Sequence, residues 1–159
     1  MKVLIAGDFC PKNRLAEIFN KGDFSLVFSE GKPYIERSDY SIVNFETALC
    51  YGGEKPIEKC GPNLCCSKSG VDAIKWLGFS CVSLANNHIL DYGEDGIQNV
   101  LRAFKNYSID PVGGGNNLEE ASKTLYKDIS GKTLAIINCC EHEFSIATMS
   151  SAGANPLNI

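Results

Sequence analysis

Three short polar clusters each follow an apolar run: Gly7-Asp8, Asn44-Phe45-Glu46 and Asn86-Asn87-His88. Carboxylates, amides and an imidazole are the donor types that bind Mn, Mg, Fe or Zn. Two such ions about 3.5–4 Å apart would share a carboxylate and a bridging hydroxide, and would clamp a phosphate during in-line attack. A histidine beside them would protonate the leaving alkoxide or balance charge on the phosphoryl oxygens. The third cluster says the most. The run Val82-Ser83-Leu84-Ala85 leads straight into two amides and one of only two histidines in the chain. Ligands bind at the carboxyl ends of parallel strands in open α/β sheets.

Each residue also has a plainer reading. Asp8 could begin a turn, Glu46 could be a solvated carboxylate, and Asn87 could cap the loop that follows. His88 could be a hydrogen-bonded structural histidine. Asp91 is expected to tether the turn or cap the next helix, with orientation of His88 as the alternative. Cys10 reads as a packed thiol. Glu141 and His142 follow an apolar run and could face the same ligand edge. Gly113-Gly114-Gly115 is a weak phosphate-cradle signal. Neither G-x-G-x-x-G nor G-x-x-x-x-G-K-[ST] follows the first strand, so a plain nucleotide-binding domain has little support.

The elements that must position these groups alternate. Strands are predicted over residues 2–6, 24–28, 40–45, 80–84 and 109–112. Helical spacing begins at Pro11 with Leu15, Ile18 and Phe19, and recurs over residues 69–77, ended by Gly78. Ile97, Val100, Leu101 and Phe104 mark the clearest helix, over residues 94–106. A single helical turn is expected over residues 117–121. Residues 124–129 and 133–138 read as a hairpin about Ser130-Gly131-Lys132. Residues 48–67 have no period and read as a long loop near the site. Strands alternating with helices predict the α/β class with a mostly parallel sheet, and the late hairpin predicts a mixed one. Residues 145–159 are small and irregular, as expected of a domain whose remaining elements lie elsewhere.

Composition narrows the classes. The 159 residues fit one domain, with 44% hydrophobic and 21% charged residues and a net charge of −4. No basic run forms a track for nucleic acid, and no apolar run is long enough to span a bilayer. No secretory leader is legible at the N-terminus, which predicts a cytoplasmic protein. Eight cysteines match no C-x-x-C pattern. They are expected to be free thiols, with Cys50, Cys60, Cys65 and Cys66 the group that could hold a disulfide or a soft metal.

Gly7-Asp8, Asn44-Phe45-Glu46-Thr47 and the block from Leu84-Ala85-Asn86-Asn87-His88 to Asp91-Tyr92-Gly93 closely resemble the CapA family of bacterial capsule and poly-γ-glutamate synthesis proteins. Gly113-Gly114-Gly115-Asn116-Asn117 and Glu120-Ala121 fit the same pattern. That family resembles a branch of the calcineurin-like metallophosphoesterases. The resemblance implies an α/β sandwich and a site for two divalent ions. It makes Asp8 a ligand of the first metal, Glu46 the bridging carboxylate, Asn87 a ligand of the second metal and His88 the catalytic histidine. Asn44 and Asn86 become supporting residues. Cys10 stands where the wider superfamily often has a ligating histidine, and the family's later histidine motifs are not in this sequence. The resemblance thus covers the N-terminal half of a family domain and predicts a partial sandwich. Self-association, or association with a separate C-terminal half, is then expected.

Two functions compete. One is a metal-dependent phosphoesterase in which a metal-bound hydroxide attacks a phosphoester. The other is a non-catalytic component for assembly or export of an anionic polymer, with a decayed metal site.

Overall fold

A computed structural model describes residues 1–157. In chain order it forms β1 (Val3–Phe9), α1 (Arg14–Asn20), α2 (Ser25–Phe28), α3 (Lys32–Glu36), β2 (Tyr40–Phe45), β3 (Ala48–Leu49) and β4 (Cys65–Cys66). There follow α4 (Lys68–Leu77), β5 (Cys81–Ser83), α5 (Gly93–Asn106), β6 (Asp110–Val112), β7 (Gly114–Gly115) and α6 (Leu118–Ala121). The last elements are β8 (Leu125–Ile129), β9 (Lys132–Ile136) and β10 (Gly153–Ala154).

Strands β1, β2, β5 and β6 form a parallel sheet in the order β1-β2-β5-β6. Each successive pair is joined through helices, as parallel pairing requires. β2 is apolar along most of its length because a central parallel strand is covered on both faces. Pro111 cannot donate to a ladder, and it is tolerated because β6 is an edge strand of this sheet.

The two faces carry different covers. Val43, Phe45, Val82 and Leu84 point toward the helices and pack with Phe19, Ile74, Leu77, Ile97, Val100 and Phe104. Tyr40, Ile42, Cys81 and Val112 point the other way and pack with Leu125, Ile129, Leu134 and Ile136. The late hairpin, β8 with β9, is therefore present as an antiparallel ribbon laid across the sheet. It pairs with itself instead of joining the sheet edge, so the α/β sandwich has helices, a parallel sheet and a ribbon in that order.

Two local expectations are corrected. Residues 24–28 are not a strand; α2 forms there because Phe24 and Phe28, one helical turn apart, both pack against Phe19. Residues 48–67 are not loop throughout, since β3 and β4 pair in parallel with Ala48 opposite Cys65. That pairing brings Cys50 beside Cys65, and the two form a disulfide with a Cα separation of 6.2 Å. The bond lies within the group Cys50, Cys60, Cys65 and Cys66, the one set aside from the free-thiol expectation as able to hold a disulfide. Cys10, Cys60, Cys66, Cys81, Cys139 and Cys140 are free.

The three consecutive glycines serve packing. A Cβ at Gly115 would lie 2.5 Å from the Ala121 amide nitrogen, and Gly113 has φ +83° against the Asn138 side chain. Only glycine fits where these chain segments approach so closely. No helix among the described residues is long and apolar enough to cross a membrane.

Candidate functional site

Asp8, Asn44 and Ser83 lie near the carboxyl ends of adjacent parallel strands. Side chains alternate faces along a strand, so the parity of Asp8 depends on register. Val3 is opposite Tyr40 and Ile5 is opposite Ile42, but Asp8 is opposite Asn44. Three steps along β1 thus match two along β2. This extra residue, a β-bulge about Gly7, turns Asp8 to the same face as Asn44 and lets Phe9 enter the helix-side core.

A chain of side-chain amides links the strand ends. Asn44 Nδ2 donates to Asp8 Oδ1 at 2.7 Å. Asn44 Oδ1 accepts from Asn86 Nδ2 at 3.2 Å and from Ser83 Oγ at 3.4 Å. Asn86, which is buried, also donates to the Phe45 carbonyl at 3.0 Å, while its Oδ1 accepts the His88 amide at 3.1 Å. Asn44 and Asn86 therefore bind β1, β2 and the turn after β5 into one frame. Asn138 Oδ1 supports that turn from below by accepting the Leu84 and Ala85 amides at 3.1 and 2.7 Å.

Glu46 is half-buried, and its amide donates to the Phe9 carbonyl at 3.1 Å. Burial, followed by the like charge of Asp8, pushes the Glu46 carboxyl up from the usual range, while His88 pulls it down. Glu46, Asp8 and His88 thus share one electrostatic neighbourhood. The Cys10 thiol is likewise raised, first by burial and then by Glu46. Asn87 is half-buried, and its carbonyl accepts Ser145 Oγ at 2.8 Å, which ties the C-terminal segment to the site turn.

Asp91 is fully buried. Its Oδ2 accepts the Leu64 amide at 2.6 Å and lies 2.7 Å from His88 Nδ1. Its Oδ1 pairs with Lys59 Nζ. Tyr92, not Asp91, occupies the N-cap of α5, so Asp91 ties the turn to the 57–64 segment and to the imidazole. His142 is exposed between Glu141 and Glu143. Among the described residues, the contact between that segment and the site runs through Ser145 instead. Lys59 carried no signal in the sequence because residues 50–64 have no periodicity and lysine there reads as a solvated side chain.

The raised Glu46 carboxyl, buried and beside the charge of Asp8, is an electrostatic condition that a cation would relieve. Asp8 and Glu46 offer carboxylate oxygen, the donor type an oxygen-preferring divalent ion takes. Among the described residues, no group of three or more His, Cys, Asp or Glu side chains is arranged to hold a metal ion.

The linked polar cluster lies across the carboxyl ends of the parallel strands, the edge at which open α/β domains as a class bind ligands. The chain belongs to the bacterial capsule synthesis protein family PGA_cap, whose model matches residues 2–157. It is 30% identical over 99% of its length to the capsule biosynthesis protein CapA of Bacillus anthracis, covering 39% of that protein. It is 28% identical over 82% of its length to the PGA biosynthesis protein CapA of Bacillus subtilis, covering 35%. A probable polyglutamine synthesis accessory protein of Mycobacterium tuberculosis matches 77% of the chain at 28% identity, with 33% of that protein covered. The chain thus spans about two fifths or less of these relatives.

Proposed function

We propose that this protein handles phosphoesters in capsule or poly-γ-glutamate synthesis, as a phosphoesterase dependent on divalent metal. The observation that carries this reading is the linked set of Asp8, Asn44, Glu46, Asn86 and His88 at the carboxyl ends of β1, β2 and β5. The family and its capsule-synthesis relatives support the process.

Asp8, Glu46 and Asn87 would hold the metal, in the set of up to two ions that the resemblance implies. A bound divalent ion supplies charge to a phosphoryl group and makes water more acidic. Asn44 fixes Asp8 through one carboxylate oxygen and leaves the other for a ligand. Asn86 holds the His88 backbone, and Asp91 holds the His88 ring by Nδ1. An ionised carboxylate only accepts hydrogen bonds, so the shared proton sits on Nδ1 and Nε2 presents its lone pair. In that state Nε2 takes a proton from attacking water, or donates one to a leaving oxygen after protonation.

Calorimetric titration with Mn2+, Mg2+ and Zn2+, followed by a phosphoester panel, tests the reading. Metal binding weakened in Glu46→Gln, and turnover reduced about 100-fold or more in His88→Ala, are the expected results. Absence of both binding and turnover in the parent chain overturns it.

One observation favours a second reading. Cys10, half-buried where the wider superfamily often has a ligating histidine, fits a scaffold that assembles or exports an anionic polymer without chemistry. Polymer output unchanged in His88→Ala, in a folded protein, would select it.

Six free cysteines support a cytoplasmic location. The Cys50–Cys65 bond argues for an oxidising compartment. Alkylating thiols in intact cells counts eight reactive or trapped thiols in the first case and six in the second. Exposed Ile5 and Ile137 support contact with a separate C-terminal half. Sedimentation of the isolated chain tests this, with self-association as the competing outcome.

A further inference from the structure

Lys59 is a lysine in a place where lysines are rarely found. Its side chain is 3% exposed, and it pairs with an Asp91 side chain that is 0% exposed. Removing both charges from water costs free energy that their attraction only partly returns. The pair is one of several ties on the 50–65 segment. That segment is also fastened by the Cys50–Cys65 disulfide, by the Ile57 amide on the Asp91 carbonyl at 3.0 Å, and by the Leu64 amide on Asp91 Oδ2.

What Lys59 adds is control over which carboxylate oxygen meets the histidine. Its ammonium occupies Oδ1, and it lies 3.4 Å from His88 Nδ1. With Oδ1 engaged, the plane of the carboxylate is set and Oδ2 is the oxygen left for the ring. Lys59 Nζ carries only donors, so it cannot accept the Nδ1 proton, and that proton has Oδ2 as its partner.

We propose that Lys59 is a positioning residue for His88. By fixing the Asp91 carboxylate, it confines the imidazole to the Nδ1–H tautomer with Nε2 facing the ligand edge. The lysine reaches the site from the 50–65 excursion, so the disulfide-closed segment is part of the site's construction. The functional consequence rests on the phosphoesterase reading, but the state of the ring can be measured without any substrate.

The test is long-range proton–nitrogen NMR on the 15N-labelled chain. His88 and His142 are the only histidines, and exposed His142 serves as the internal reference. The parent protein is expected to show His88 as the Nδ1–H tautomer alone. Lys59→Met is expected to lose that single-tautomer pattern while His142 keeps its own. Lys59→Gln, which retains a hydrogen-bond donor of shorter reach, is read the same way if Lys59→Met does not fold. An Nε2–H tautomer at His88 in the parent, or an unchanged pattern in a folded Lys59 variant, overturns the proposal. In a parent that turns over phosphoesters, Lys59→Met should lower kcat about 10–100-fold with KM little changed. The expected NMR pattern without any turnover would leave Lys59 in this role and remove the phosphoesterase reading alone.

Discussion

Two lysine–aspartate pairs sit at opposite ends of the same sheet. At the amino ends, Lys127 Nζ lies 2.7 Å from Asp110 Oδ2, and Tyr40 donates its hydroxyl to the same oxygen at 2.8 Å. At the carboxyl ends, Lys59 pairs with Asp91, which also holds His88. The composition is alike: one lysine, one aspartate and one ring with a polar hydrogen. Water separates them. Lys127 and Asp110 are 35% and 30% exposed, so either charge can exchange its partner for solvent. Lys59 and Asp91 cannot. An exposed pair adds little to stability whatever its geometry, whereas a buried pair makes each partner indispensable to the other. The end of the sheet with the buried pair is also the end that carries Asp8, Glu46, Asn87 and His88.

The largest expected effect comes from breaking the buried pair. Asp91→Ala leaves the Lys59 ammonium without a counter-charge and should cost about 3–5 kcal/mol in urea unfolding. Next comes the fastening of the segment that delivers Lys59. Replacing Cys50 and Cys65 together by serine should cost about 3 kcal/mol, the scale for a closed loop of this size. Amide exchange at Leu64 should quicken in the same variant, because its acceptor is Asp91. Lys127→Ala, by contrast, should change stability by no more than about 1 kcal/mol. A loss as large as that of Asp91→Ala would remove the distinction between the two ends.

The smallest effect is a slope. The Glu46 carboxyl is raised, so the folded chain holds that proton more tightly than the unfolded chain does. Stability from this group is present below the ordinary value of 4.5 and is lost as pH rises through the raised one. The thermal midpoint of metal-free protein should therefore fall across that interval, and Glu46→Gln should flatten the fall. If Glu46 binds a cation, added Mn2+ should flatten it as well.

Much of this arrangement is legible in the sequence. α5 follows from the stripe Ile97, Val100, Leu101 and Phe104, because one apolar face at helical spacing has only one way to be buried. α4 ends at Gly78, whose φ of +85° suits glycine and whose amide closes the last turn on Ile74 and Lys75. The strand-end positions of Asp8, Asn44 and Asn86 follow from apolar runs that stop where polar residues begin. Residues 24–28 misread as a strand because a short aromatic-rich run carries no period of its own, and contact with Phe19 decided it.

The bulge about Gly7 had no signal, since parity along a strand shows only once a partner is paired. The ribbon's place is another such case. Its alternation predicted a hairpin, but whether that hairpin extends the sheet or covers it depends on which apolar face lies bare, here Tyr40, Ile42, Cys81 and Val112.

The sequence by itself determined the alternating elements, the family and the residue types at the strand ends, because these depend on local spacing and composition. Only the tertiary structure decided that Asp8 shares a face with Asn44, that Cys50 meets Cys65, and that Lys59 is buried against Asp91. Each of these joins residues far apart in the chain through register or burial, and neither quantity exists until strands pair and water is excluded.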